Sequence, residues 1–334
     1  MSTIQITVLS SGNLQDIKPL LADGFRVPYR FLKNTPGIDL ENYLFDEIKE
    51  AMQDINTRVW VGIYEDKIVG ALVFADLPWE TRIFKKKMGT IKYFLINNGF
   101  HQKTELADKL LDHLIKWAST SNLEFLQYKA YTNDSLMIHL LESGGFLLMD
   151  TVLDYVYDQN RFPFESIPKP QSRDDVNLRL SKQEDEGELI EIAQRSFGNH
   201  FGRFHADESI LPGQATRVYE EWITSSLKGY ADYLIVAEIN AEIAGYSIWK
   251  KPSSNELRHG LGIGHFSICG IHPGYQGKGL FGLLTWDGMR LLSDQVEWME
   301  GPTHVNNYPV QRGYAKLSWQ IQDARHTFHK WLQR

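Results

Sequence analysis

Residues 276–282 read Gln276-Gly277-Lys278-Gly279-Leu280-Phe281-Gly282, three glycines and a lysine in seven positions. Before them an apolar run, Phe266, Ile268, Cys269 and Ile271, has the character of a buried strand. It stops at His272-Pro273, where proline removes a ladder donor. After them Leu283, Leu284, Met289, Leu291 and Leu292 recur near one helical stripe. A strand, a glycine loop and a helix start together make a device for holding phosphate. Glycine lets bare backbone N–H groups approach an anion, and the first helical turn attracts it with unpaired donors and its dipole.

Spacing narrows the choice of phosphate. A P-loop needs G-x-x-x-x-G-K-[ST], but position 272 is His and position 279 is Gly, so that reading fails. Gly277-x-Gly279-x-x-Gly282 does match the dinucleotide fingerprint, with Glu300 near the spacing of a ribose-binding acid. Yet the first glycine should follow the strand directly, whereas Pro273-Gly274-Tyr275-Gln276 intervene, and only 52 residues follow Gly282 (334 − 282), too few to finish a doubly wound sheet. A bare strand-to-helix turn is the remaining alternative, though turns rarely need three glycines and a lysine.

Composition limits the partners. The chain has 334 residues, which suggests two domains, and 43% hydrophobic residues supply a sizeable core. A formal charge of −7 argues against a nucleic-acid partner. The single cysteine, Cys269, allows no internal disulfide, so a reducing cytoplasm is expected. Its place in an apolar run reads as a small core hydrophobe rather than a nucleophile. The first residues show no signal peptide, and no run approaches the 18 apolar residues of a membrane span.

The elements that must position the loop come twice. Strand patterns lie at 4–9, 58–64, 67–74, 88–96, 124–130 and 153–157, with helix patterns at 14–21, 40–52, 106–118 and after Asn133-Asp134, closed by Gly144-Gly145. The stretch 159–175, poor in apolar residues and holding Pro163, Pro168 and Pro170, reads as a linker. Beyond it strands at 176–180, 233–239 and 242–250 and helices at 184–196 and 215–226 repeat the first order. Gly70 matches Gly245, an offset of 175 (245 − 70), and Phe146 matches Trp319, an offset of 173 (319 − 146). Two copies of one αβ unit are therefore expected, as 1–158 and 176–334. The first copy has only Gly99 in the region of the glycine loop.

Two stretches resemble the signatures of the GNAT acetyltransferases. Gln276 and Gly279, behind Pro273-Gly274-Tyr275, are similar to the Gln/Arg-x-x-Gly-x-Gly/Ala loop that holds the pyrophosphate of acetyl-CoA in that family. Phe281 departs from it, with Gly282 one place late. Asn307-Tyr308-Pro309-Val310-Gln311-Arg312-Gly313-Tyr314-Ala315-Lys316-Leu317-Ser318-Trp319 resembles the second signature, N-x-x-A-x-x-x-Y-x-K-L-G-F. Asn307 fits a helix cap and Pro309 an early helical position. Tyr314 stands two turns on, while the first copy has Leu140 and Leu141 where that tyrosine belongs. The resemblance implies a mixed α/β fold of two tandem GNAT-like units, the first degenerate and the second an acetyl-CoA-dependent N-acetyltransferase. Acetyl-CoA would be the co-substrate, held by Cys269, Ile271, Gln276, Gly277, Lys278, Gly279, Leu280, Phe281, Gly282 and Asn307. Tyr314 would protonate the leaving thiolate, and a backbone N–H at 269–271 would meet the oxyanion.

The base is not legible: His265, His272, His304 and Glu300 are candidates by proximity. Arg203, His205 and Asp207 lie in the loop where this fold walls its acceptor. Leu77 to Phe84, Arg203-Phe204 and the stretch from Tyr219 to Trp222 look like the dTDP-fucosamine acetyltransferases, diffusely over 75–330. That implies a small-molecule amine as partner, an amino sugar nucleotide being one such acceptor, with no metal, nucleic acid or membrane, in a monomer or homodimer. A CoA-binding sensor without turnover is the competing class. Tyr314 speaks against it, since a pure binder has no use for a thiolate acid.

Overall fold

The computed structural model describes residues 3–22, 25–172, 174–198 and 201–332. The chain divides into two units. The first holds Met1–Met149, Arg258–Gly260 and His326–Arg334; the second holds Asp150–Leu257 and Leu261–Arg325.

In the first unit β1 (Gln5–Val8), β2 (Arg58–Tyr64), β3 (Lys67–Asp76) and β4 (Met88–Ile96) pair antiparallel in turn, and β5 (Phe125–Tyr131) joins β4 in parallel. Glu65 and Asp66 both take left-handed backbone angles, φ 48° and 59°, which suits the twist of a two-residue hairpin. The helices are α1 (Lys18–Leu21), α2 (Leu40–Ala51), α3 (Pro78–Phe84), α4 (Lys103–Thr120) and α5 (Ser135–Ser143). Helix α4 buries Leu106, Leu110, Leu114 and Ala118 at successive turns against Leu72, Phe74 and Phe94 of the sheet. As expected from Asn133-Asp134, the Asp134 carboxylate caps α5 by accepting from Met137 N at 3.3 Å.

The second unit repeats this plan. It takes most of β6 (Leu147–Asp158), then β7 (Asn177–Leu180), β8 (Tyr233–Ile239), β9 (Glu242–Lys250), β10 (Ile263–Ile271), β11 (Trp298–His304) and the first residues of β12 (Gln320–Trp331). Its strand order runs β6-β11-β10-β9-β8-β7. Its helices are α6 (Glu186–Phe197), α7 (Arg203–Ala206), α8 (Pro212–Ser225), α9 (Ser254–Arg258), α10 (Leu280–Leu292) and α11 (Tyr308–Lys316). The β8–β9 hairpin turns on Asn240 and Ala241, φ 52° and 66°, the same device 175 residues later (240 − 65). One face of the sheet packs on α10 and α11 through Trp249, Phe266, Leu284 and Met289. The other packs on α6 and α8 through Tyr246, Ile248, Leu189 and Ile223.

The division does not fall where the sequence puts it. Residues 159–175 are no free linker: they belong to the second unit, with Ile167 buried and Phe162 and Phe164 packed on its core. Three prolines break up those apolar residues, so no periodicity betrays them. The last strand also runs on from the second unit into the first at His326. No helix among the described residues is long and apolar enough to cross a membrane.

Candidate active site

The site begins with an interrupted ladder. β10 and β11 are parallel neighbours, but they pair only at Ile263–Trp298, Gly264–Met299 and His265–Glu300. Beyond those residues β10 stays with β9 to Ile271, and β11 stays with β6 to His304. A bulge at Ser267 bends β10 away where the parting starts. The two strands therefore open a wedge between 266–271 and 301–304. Pro302 falls on that stretch, where a missing neighbour makes proline tolerable inside a strand.

At the mouth of the wedge lies the glycine loop. His272 ends β10, its Nδ1 accepting from Gly274 N at 3.2 Å, and a single 3-10 turn, Pro273–Tyr275, follows. Gln276 is extended, while Gly277 and Gly279 adopt φ of +75° and +90° on either side of Lys278. Only glycine takes such angles without strain. Gly279 is the N-cap of α10, so the first-turn N–H groups that follow it, from Leu280 through Gly282, lack helical partners. The Leu280 side chain is buried and the Phe281 ring packs against Tyr314, so these two residues offer a ligand their backbone alone. Nothing crowds a Cβ position at Gly277. The cradle thus fits an anion such as pyrophosphate.

The supposed linker clasps this loop from outside. Ser172 Oγ donates to Lys278 O at 3.1 Å, Asp174 pairs with the Lys278 ammonium at 2.8 Å, and Trp286 Nε1 donates to Ile167 O at 3.1 Å. A Cβ at Gly279 would stand 2.9 Å from Gln171 O. Lys278 also lies over the Tyr275 ring, 5.1 Å from its centre.

Tyr314 sits on the last turn of α11 and is 2% exposed. Its ring stacks on Trp319 at 4.8 Å and meets Tyr155 at 4.8 Å, Phe281 at 5.4 Å and Phe266 at 6.0 Å. Burial pushes the phenol well above its ordinary pKa, with Cys269 and Tyr155 adding to the rise, so the hydroxyl keeps its proton. Desolvation also pushes the half-buried Cys269 thiol up, which disfavours its thiolate. Tyr314 thus touches both arms of the wedge, Phe266 of β10 through its ring and Gly301 of β11 through its hydroxyl. Ser318 holds φ 66° where the GNAT signature carries glycine. Asn307 occupies the N-cap of α11 but makes no capping bond through its side chain, contrary to expectation.

The other candidates separate. His265 hydrogen-bonds to Glu300 and Glu256 through its two ring nitrogens. Burial alone would lower its pKa, but these bonds outweigh that and hold it at about 10. A group that is already an imidazolium cannot act as base. His272 Nε2 lies 3.1 Å from Arg195 Nη1, and His304 Nδ1 accepts from Asn306 N at 3.1 Å while its ring meets Phe201. Asp207 is buried and accepts from Ser209 N at 3.0 Å, a loop-shaping contact. Arg203 covers the Phe204 ring, and His205, its pKa lowered by burial, stacks on Tyr219. Glu256 went unread in the sequence, where nothing ties it to a residue nine places on.

In the first unit β4 and β5 likewise pair at only three positions, Met88–Phe125 to Thr90–Gln127, with a bulge at Lys92, 175 residues before Ser267 (267 − 92). There the unit's own residues meet the far end of β5. Tyr131 Oη donates to Val27 O at 2.7 Å, and Arg26 pairs with Asp134, the counterpart of Asn307 at the following N-cap. Val27 is 1% exposed.

No family model matches the chain. It is 20% identical over 312 residues to the spore coat polysaccharide biosynthesis protein SpsD of Bacillus subtilis (strain 168), covering 87% of this chain and 96% of that one. Among solved structures it is similar to a tandem GNAT protein from the clavulanic acid biosynthesis pathway, solved without acetyl-CoA (TM-score 0.62, 13% identity, 99% of each chain). It is also similar to a GCN5-related N-acetyltransferase from Sphaerobacter thermophilus (TM-score 0.65, 13% identity, 99% of this chain and 96% of that one).

Proposed function

We propose that this chain, whose fold is the tandem GNAT fold, is an acyltransferase that moves the acetyl group of acetyl-CoA to a primary amine of a small molecule, in its second unit. One observation carries the reading. The second unit joins a left-handed glycine loop, an open wedge and a buried tyrosine hydroxyl, while the described residues of the first unit have neither loop nor tyrosine at the equivalent places, where Leu140 and Leu141 stand, and hold Val27 against Tyr131 at the end of β5.

Each part has a task in that reaction. Backbone N–H groups of Gly277 to Gly282 hold the pyrophosphate, and Lys278 adds a charge once it leaves Asp174. The wedge admits the pantetheine arm, whose amides can use the backbone groups that the parted strands, with Cys269 and Ile271 on β10, leave to each other. An N–H of β10 near the bulge meets the oxyanion as the amine attacks. The C–N bond forms, the C–S bond breaks, Tyr314 gives the sulfur its proton, and the proton that the nitrogen sheds passes to solvent water, from which the phenol regains its own. A phenol held protonated and sheltered from water suits that role.

For the acceptor, the resemblance to amino-sugar acetyltransferases and the likeness to a polysaccharide biosynthesis protein both favour an amino sugar nucleotide. Calorimetry with acetyl-CoA tests the first step: one site per chain is expected, lost in Gly279→Asp, and either two equivalent sites or none would refute it.

A further inference from the structure

On the far side of the strand from Tyr314 stands a polar cluster that thioester cleavage does not use. His265 and Glu300 are the last paired residues before β10 and β11 part. His265 Nδ1 is 2.8 Å from Glu300 Oε1, and Nε2 is 3.1 Å from Glu256 Oε1. Ionised carboxylates only accept, so the ring supplies both hydrogens and carries a positive charge. Glu256, 5% exposed in α9, is itself fixed by Ser253 N, which donates to Oε2 at 2.6 Å.

Register sets the direction. Side chains alternate along a strand. Gly301 meets Tyr314, so Glu300 next to it faces the opposite way. His265 pairs with Lys250, which shares a face with Ile248 and Tyr246, the face that packs on α6 and α8. Attack and departure at a carbonyl come from different sides. With the thiolate acid on one face, the amine arrives on the other, at the point where the wedge opens.

We propose that Glu300 engages the ammonium of the acceptor and that His265 is its positioning residue, pinned from behind by Glu256. The three groups together carry one net negative charge, which favours an acceptor arriving as a cation over a neutral alcohol. Other charges on this face are set by the register. Lys250 on β9 donates to Tyr230 O at 2.9 Å, and Asp154 on β6 is paired with Arg325 of β12. The inference rests on the acetyl-transfer reading.

The test is kinetic, on full-length protein with acetyl-CoA and four amines: glucosamine, lysine, spermidine and a dTDP-linked 4-amino-4,6-dideoxyhexose. With the fastest of these, Glu300→Gln is expected to raise KM for the amine about tenfold or more while acetyl-CoA affinity by calorimetry stays unchanged. His265→Gln removes the cation that fixes Glu300, so KM for the amine shifts up about threefold or more with acetyl-CoA affinity unchanged, and His265→Lys, which keeps the charge, shifts it back. Thermal unfolding checks that each variant is folded, and Glu256→Gln supplies a second route to the same shift if His265→Gln does not fold. Variants indistinguishable from wild type overturn this inference alone. A wild type that binds acetyl-CoA but acetylates none of the four overturns the acyl-transfer reading and this inference with it.

Discussion

The hydroxyl of Tyr314 lies directly over the α-carbon of Gly301, so close that a methyl group built there would stand 2.3 Å from the oxygen. Real contacts do not reach that distance, and the neighbouring ring of Trp319, 3.1 Å from the same point, blocks an easy retreat. Gly301→Ala should therefore cost about 1–3 kcal/mol of stability and displace the hydroxyl. Chemical denaturation of Gly301→Ala and of the double variant with Tyr314→Phe checks this. The double variant should recover part of the loss, because the nearest clashing atom is gone.

Gly279 answers to two constraints at once, a φ of +90° and the carbonyl of Gln171. Gly279→Ala should cost about 1–2 kcal/mol from the left-handed backbone and weaken acetyl-CoA binding through the misplaced first turn of α10. Gly277→Ala has the same backbone cost with open space around its Cβ, so its effect on stability should be the smaller of the two. Calorimetry and thermal melts on the pair separate strain from crowding.

Asp174 holds the Lys278 ammonium at 2.8 Å, and on the proposed function a bound phosphate would compete for it. Both groups are about one-third exposed, so water screens the pair and its own worth is small. Asp174→Ala removes a negative charge beside an anion site and frees the lysine. Acetyl-CoA affinity should rise about two- to fivefold at low ionic strength, and the gain should fade as salt is added. An unchanged affinity at low salt would mean that Lys278 never reaches the phosphates.

Much of this was legible in residue types. The glycine loop, Tyr314 and the doubled order of elements all rest on local spacing, and local spacing survives folding. Residues 167–174 were not legible as a clasp, because Phe162, Phe164 and Ile167 follow no strand or helix period. The full length of β6 was missed because Asp150 and Thr151 interrupt the apolar run ahead of 153–157. The charge state of His265 was beyond reach for another reason. It depends on Glu300, brought alongside only by the three-residue pairing of β10 with β11, and on Glu256 across a loop.

That cluster also predicts a pH dependence of stability. His265 titrates at about 10 in the folded chain against an ordinary value of 6.5, so the folded state binds its proton more tightly than the unfolded one. Its contribution is whole below about pH 6.5 and is lost as pH rises through about 10. Glu256 shifts the other way: burial opposes the change, but the bonds from His265 and Ser253 prevail and lower it. Its share is present above the ordinary carboxylate range and is lost as pH falls below it. Urea unfolding between pH 6 and 10 should show a decline that is reduced in Glu256→Gln. A decline of the same size in that variant would place its origin elsewhere.

Tyr314→Phe tests most directly whether Tyr314 is the proton donor to sulfur, since the ring and its four aromatic neighbours are kept and only the hydroxyl goes. Steady-state acetylation by the full chain should fall in kcat by about a hundredfold or more, with the KM for acetyl-CoA and the melting temperature close to wild type. A variant with undiminished kcat would contradict the assignment.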